Sequence, residues 1–225
     1  MGLITGYICL ICFILLLAKY IARKSKKATL NRFFAKIHKP VSTVLILMVI
    51  VHFILVIPVL RNRNLWMNLS GVLSFILIFG ITILCHTLKN GKQRIKWHRI
   101  LSATMLIVTI LHIVLYFIDF NQYQQKMKNT EIADVDVAHL ADGEYIGSYN
   151  VGYIYAKVKV IVKDGAMEEV QLLEHRNEHG ARAEALVDEI VKKQKITVDS
   201  VSGASNSSRV IKKACENALK GSPQK

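Results

Sequence analysis

The sequence predicts a membrane α-helical bundle of four transmembrane helices followed by a small α+β domain. Three observations carry this. The chain has 225 residues, 52% of them hydrophobic, with 30 Lys plus Arg against 16 Asp plus Glu and a formal charge of +14. The excess is confined to residues 1–119, where 15 basic residues meet one acid, Asp119. Residues 120–225 balance 15 basic residues against 15 acidic ones, and their pattern alternates as strands do. A nucleic-acid protein carries its basic patch on a soluble face. Here the basic residues punctuate long apolar runs, as in proteins that sit in lipid. Nucleic acid is therefore excluded as a partner, and membrane lipid is expected.

Four runs are long enough to cross a hydrocarbon core of about 30 Å as helices. They lie at about 3–22, 40–60, 69–88 and 100–118, within a domain spanning 1–119. The first lacks a basic stretch before it and a small-residue cleavage site after it, so it is expected to stay as an uncleaved span. Cys9-Leu-Ile-Cys12 has redox spacing but lies within that run and has no second pair, which favours plain apolar packing.

The connections fix the orientation. Arg23, Lys24, Lys26, Lys27, Arg32, Lys36 and Lys39 separate the first two runs, and Lys89, Lys92, Arg94, Lys96 and Arg99 the last two. Only Arg61 and Arg63 lie between the second and third. By the positive-inside rule the two strongly basic connections are cytoplasmic, so the N-terminus and everything after Asp119 are outside the cytoplasmic membrane.

His52 and His112 lie within apolar helices, where ionisable groups are costly and serve function by default. Each has a companion 14 residues earlier, His38 and His98. That spacing is about 40° short of four full turns, so each pair shares a helix face, about 21 Å apart along the axis. The second and fourth spans run in the same direction, and both pairs stand at the same depth. The result is two levels: His38 with His98 near the cytoplasmic surface, and His52 with His112 in the outer part of the membrane. Facing imidazoles suit bis-histidine ligation of b-type haem, probed against the alternatives of one haem or of polar residues bonded to a neighbour. His86 reads as an interfacial residue.

Ile37-His38-Lys39-Pro40 with His52-Phe53, and Trp97-His98-Arg99 with His112-Ile113, resemble the ferric-reductase-like and related small cytochrome b membrane domains over roughly residues 30–118. The resemblance implies two stacked b haems on these four histidines.

Residues 120–139 are polar and read as a linker. Glu144 to Val162 alternates, Lys163-Asp164-Gly165 is a hairpin signal, and Met167 to Leu173 reads as a further strand. Ala181 to Lys193 and Asn206 to Leu219 have helical periodicity, the second with Ser207 and Ser208 as cap candidates. Between them, Asp199-Ser200-Val201-Ser202-Gly203-Ala204-Ser205 places a glycine and small hydroxyl residues before a helix start. Its amides can hold a phosphate, and an ordinary capped turn has the same composition.

That stretch resembles the attachment motif of the FMN-binding domain family. The family includes the flavin-carrying subunits of sodium-pumping NADH:quinone oxidoreductases and Rnf-type complexes. Asp142-Gly143-Glu144-Tyr145, Lys163-Asp164-Gly165, Leu173-Glu174-His175 and the closing helix agree, so the resemblance covers 140–220. It implies an extracytoplasmic FMN-binding domain. It further implies FMN joined through its phosphate to Ser205, where the family usually has Thr, by a dedicated flavin transferase. Noncovalent FMN, or attachment at Ser207 or Ser208, is the alternative. Asp199, Ser202, Gly203 and Ala204 complete the motif. His175 aligns with a family position, whereas His175 and His179 read on their own as surface histidines. Together the parts imply electron transfer between the cytoplasmic side, or quinone and redox protein partners, and an outer FMN through two b haems. The alternatives are a reductase with its own terminal acceptor and a redox sensor.

Overall fold

A computed structural model describes residues 2–25, 27–177 and 179–223, so Lys26, counted above among the basic residues, lies outside the described residues. The chain forms two compact units, 1–116 and 117–225.

The first unit is built from α1 (Gly2–Lys24), α2 (Ala28–Val56), α3 (Leu65–Thr87) and most of α4 (Gly91–Lys128). All four are long and apolar enough to cross a membrane. They pack around a small cluster with members from every helix: Cys12 and Phe13 of α1, Leu45 of α2, Ile78 of α3 and Met105 of α4. Most other large apolar side chains point outward, among them Ile11, Leu47, Ile76 and Ile107. Water would not tolerate that much exposed apolar surface, whereas lipid tails favour it. Cys9 packs against the cluster, in keeping with an apolar role.

The helices are longer than the apolar runs. The second apolar run starts at about residue 40, yet α2 begins at Ala28 and carries Pro40 within it. The fourth starts at about residue 100, yet α4 begins at Gly91, where Asn90 Oδ1 accepts from the amides of Lys92 and Gln93. Hydropathy marks where the hydrocarbon ends; the helix ends only where a cap or turn stops it. The basic residues of both connections therefore lie mainly on helical turns. Asn64 caps α3 in the same way, accepting from Trp66 N at 2.8 Å.

The second unit is a three-stranded antiparallel sheet in the order β1 (Gly143–Asn150), β2 (Tyr155–Lys163) and β3 (Ala166–Arg176), with α5 (Leu186–Lys193) and α6 (Ser205–Leu219). The β2–β3 hairpin turns on Asp164 and Gly165, at φ of 50° and 72°. Two positive φ values make a turn whose twist matches that of the flanking strands. Ala156, Val158, Val160 and Val162 alternate into the core from β2 and meet Val210, Ile211, Ala214 and Ala218 of α6. Gly147 is the contact point: a Cβ there would strike the α6 backbone at Ala214 and Ala218.

The stretch 120–139, read above as a linker, is ordered and packed. Residues to Lys128 complete α4, and Tyr123 and Met127 are buried in the second unit's core. Asp134 accepts from the amides of Ile196 and Thr197 and from the Thr197 hydroxyl. The carboxylate of Glu216, buried in α6, accepts from Ala133 N, Lys213 and Lys220. The residues this polar stretch buries are few: Tyr123, Met127, Thr130 and Val137.

Candidate functional site

In the first unit, the sequence placed His38 and His52 on one helix and His98 and His112 on another, and so does the fold. The rings of His38 and His98 meet, with centroids 6.2 Å apart and planes at 75°. Two imidazoles sharing one iron, each bonded at the roughly 2 Å of metal–imidazole bonds, hold their ring centres roughly 6 Å apart. His98 Nδ1 lies 3.5 Å from Cys85 Sγ, and His38 Nδ1 is buried without a hydrogen-bond partner among the described residues.

The other level is fastened differently. His52 Nδ1 lies 2.9 Å from the carbonyl oxygen of Gly2 and 3.1 Å from Thr5 Oγ1, and the Thr5 hydroxyl donates to the same carbonyl at 2.8 Å. His112 repeats the triangle with Met67 O at 3.1 Å and Ser70 Oγ at 3.1 Å, the Ser70 hydroxyl donating to Met67 O at 2.8 Å. In both, the hydroxyl hydrogen is already committed, and a carbonyl can only accept. The hydrogen at Nδ1 must therefore come from the ring, leaving Nε2 with its lone pair. Metal-bound histidines are commonly held in this way. The next residue in each triangle is glycine, and a Cβ on Gly6 or Gly71 would stand 3.3 or 3.0 Å from Cε1 of the respective ring. Sequence reasoning missed Thr5, Gly6, Ser70 and Gly71. The recurrence of a hydroxyl residue followed by glycine near the start of α1 and α3 was the available signal.

In the second unit, the motif 199–205 forms the turn that enters α6. Lys212 Nζ donates to Val198 O at 2.8 Å and to Ser200 Oγ at 3.2 Å, fixing the start of the turn. Burial lowers the Lys212 pKa, helped by Arg209 and opposed by Asp199. Val201 N donates to Ser208 Oγ at 3.0 Å, and Ala204 N to Val201 O at 3.0 Å. Gly203 takes φ of +76°, and Ala204 tucks into the core. Ser205 is thereby the first residue of α6 and is exposed, like Asp199 and Ser202. The helix amides and dipole there favour an anion.

Around that turn, Asn206 Nδ2 donates to Tyr123 OH at 2.8 Å, and Arg209 donates to Met127 O at 2.8 Å. Tyr123 stacks on Tyr153 at 4.6 Å, with Phe120 6.1 Å from Tyr153. Gly180 packs against Ser207 so closely that any side chain would overlap its hydroxyl. Ser207 is buried, and Ser208 is buried and bonded, so Ser205 is the hydroxyl of the three that a reagent can reach. The side chain of His175 is only 2% exposed, with Nδ1 2.9 Å from Glu184 Oε1 and Nε2 without a hydrogen-bond partner among the described residues. The surface reading of His175 therefore fails, because β3 turns the ring inward against Glu184, while His179 is exposed. A cavity of about 220 Å³ adjoins the turn, lined by Leu186, Glu189, Lys193, Val198, Asp199 and Val201.

No curated protein and no solved structure matches the chain. Residues 152–220, the part that holds β2, β3, α5, the turn and α6, match the family model described as FMN-binding domain.

Proposed function

We propose that the chain carries electrons across the cytoplasmic membrane between a cytoplasmic-side donor or quinone and an extracytoplasmic FMN. The observation that supports this best is the pairing of histidines on α2 and α4 in a chain whose second unit matches an FMN-binding family. His38 with His98, and His52 with His112, would each hold a b haem, and the residues fit that role. One pair has ring centres at a ligating separation, and the other presents bare Nε2 atoms.

Ser205 would carry FMN through a phosphoester, placed there by a flavin transferase. It is the accessible hydroxyl at the head of α6, and the turn from Asp199 to Ala204 would serve as the transferase's recognition segment. His175 stands on the neighbouring strand end as a further flavin contact. FMN accepts one or two electrons and so links single-electron carriers to two-electron partners. The protein's part is to hold, orient and insulate. The basic helix ends support the orientation with the second unit outside.

The test is the pigment content of detergent-purified protein from a host with a flavin transferase. Two b haems per chain are expected, with flavin that survives denaturation and is lost in Ser205→Ala while haem stays. Denaturation-resistant flavin retained in Ser205→Ala would refute the attachment site. Flavin without haem would leave an anchored flavoprotein. A reductase with its own terminal acceptor is the second reading, and turnover with a soluble acceptor alone would favour it.

A further inference from the structure

The two histidine levels are not supported alike. At His52 and His112, each ring donates its Nδ1 hydrogen into a carbonyl and a hydroxyl of the neighbouring helix. At the other level, Nδ1 of His98 has only the Cys85 sulfur at 3.5 Å, and Nδ1 of His38 has no hydrogen-bond partner among the described residues. The triangle recurs with the same bonds and the same following glycine in α1 and α3, so it is a repeated device rather than one accidental contact.

Resting on the haem reading above, we infer that Thr5 and Ser70 are positioning residues for His52 and His112, and that their level binds the haem of lower reduction potential. An imidazole that donates its far hydrogen to an oxygen is a more basic ligand. More electron donation favours ferric over ferrous iron and lowers the potential. Without comparable donation, the level of His38 and His98 holds the haem that is easier to reduce. The hydroxyls also hold the rings in one tautomer and orientation, with Gly6 and Gly71 leaving room for them.

The test is an equilibrium redox titration of the b-type absorbance of the purified full chain, with haem per chain measured alongside. Two components are expected in the wild type. His112→Ala should remove the lower one. Thr5→Val and Ser70→Ala should shift the lower component and leave the higher one in place, whereas Thr5→Ser and Ser70→Thr should keep wild-type values. Loss of one haem in Thr5→Val or Ser70→Ala, restored by the conservative variant, would equally support the role. Two haems whose potentials do not move, or movement of the higher component only, would overturn this inference and leave the haem reading standing. A wild-type protein without haem would overturn both.

Discussion

Gly203 holds φ at +76°, and among the described residues no atom crowds the space where a Cβ would stand. Its requirement is purely conformational, so Gly203→Ala should cost about 1–2 kcal/mol, the price of a left-handed residue. Thermal unfolding of the second unit checks this, and the exposure of Ser205, which the turn presents, should change with it. Gly180 is the opposite case: its constraint is space, since a methyl group would meet the buried Ser207 hydroxyl. Gly180→Ala should destabilise by about 1–3 kcal/mol through overpacking, and Gly180→Ala with Ser207→Ala should recover part of that loss in the same melt. The motif itself was legible in the sequence, because a glycine among small hydroxyls before a helix is a local signal. Gly180 against Ser207 was not, since the two are distant in sequence and are joined only where the turn at residues 180–185 packs on α6.

At the scale of elements, α6 owes its place to Gly147, over which its backbone runs. Gly147→Val should separate helix from sheet and cost about 3 kcal/mol or more, read as loss of cooperative unfolding in that unit. The helix is also pinned through Glu216. Burial would raise that carboxyl, but hydrogen bonds from Lys220, Lys213 and the Ala133 amide prevail and hold it below its usual range. Asp134 is likewise lowered, its burial outweighed by Thr197 and the amides of Thr197 and Ile196. A carboxyl with a depressed folded pKa stabilises above its ordinary value, and the gain is lost as pH falls through the folded value. The unit should therefore keep full stability at neutral pH and lose it below about pH 4, where ordinary carboxyls titrate. Glu216→Gln should reduce that acid dependence, as melts across pH would reveal. The four spans and the strands were readable from hydropathy and alternation. Helix lengths were not, because α2 and α4 continue as polar, cationic turns beyond the apolar runs.

At the scale of the whole molecule, the histidine pairs were legible because a 14-residue spacing maps four turns of one helix face. Their hydrogen-bond partners were hidden, since apolar helices contain several hydroxyl residues and only packing selects Thr5 and Ser70. The packing of the polar stretch after Asp119 was hidden for a related reason. Tyr123 and Met127 sit four residues apart on one face, and with Thr130 and Val137 they are buried in a stretch rich in glutamine, lysine, asparagine and aspartate.

The embedded end of α4 also sets where the protein can be divided. The family match begins at Gly152 and the sheet at Gly143, so either invites an excision near residue 140. A soluble fragment starting there would discard Tyr123, Met127 and Asp134, and each of the two apolar residues is worth about 2–5 kcal/mol on truncation. Such a fragment should aggregate or melt far below one that begins at Phe117, which retains the compact unit intact. The last turns of α4, from Phe117 on, thus belong to the second unit, and any exchange of the helices before it has to be cut at that point rather than at the start of the sheet.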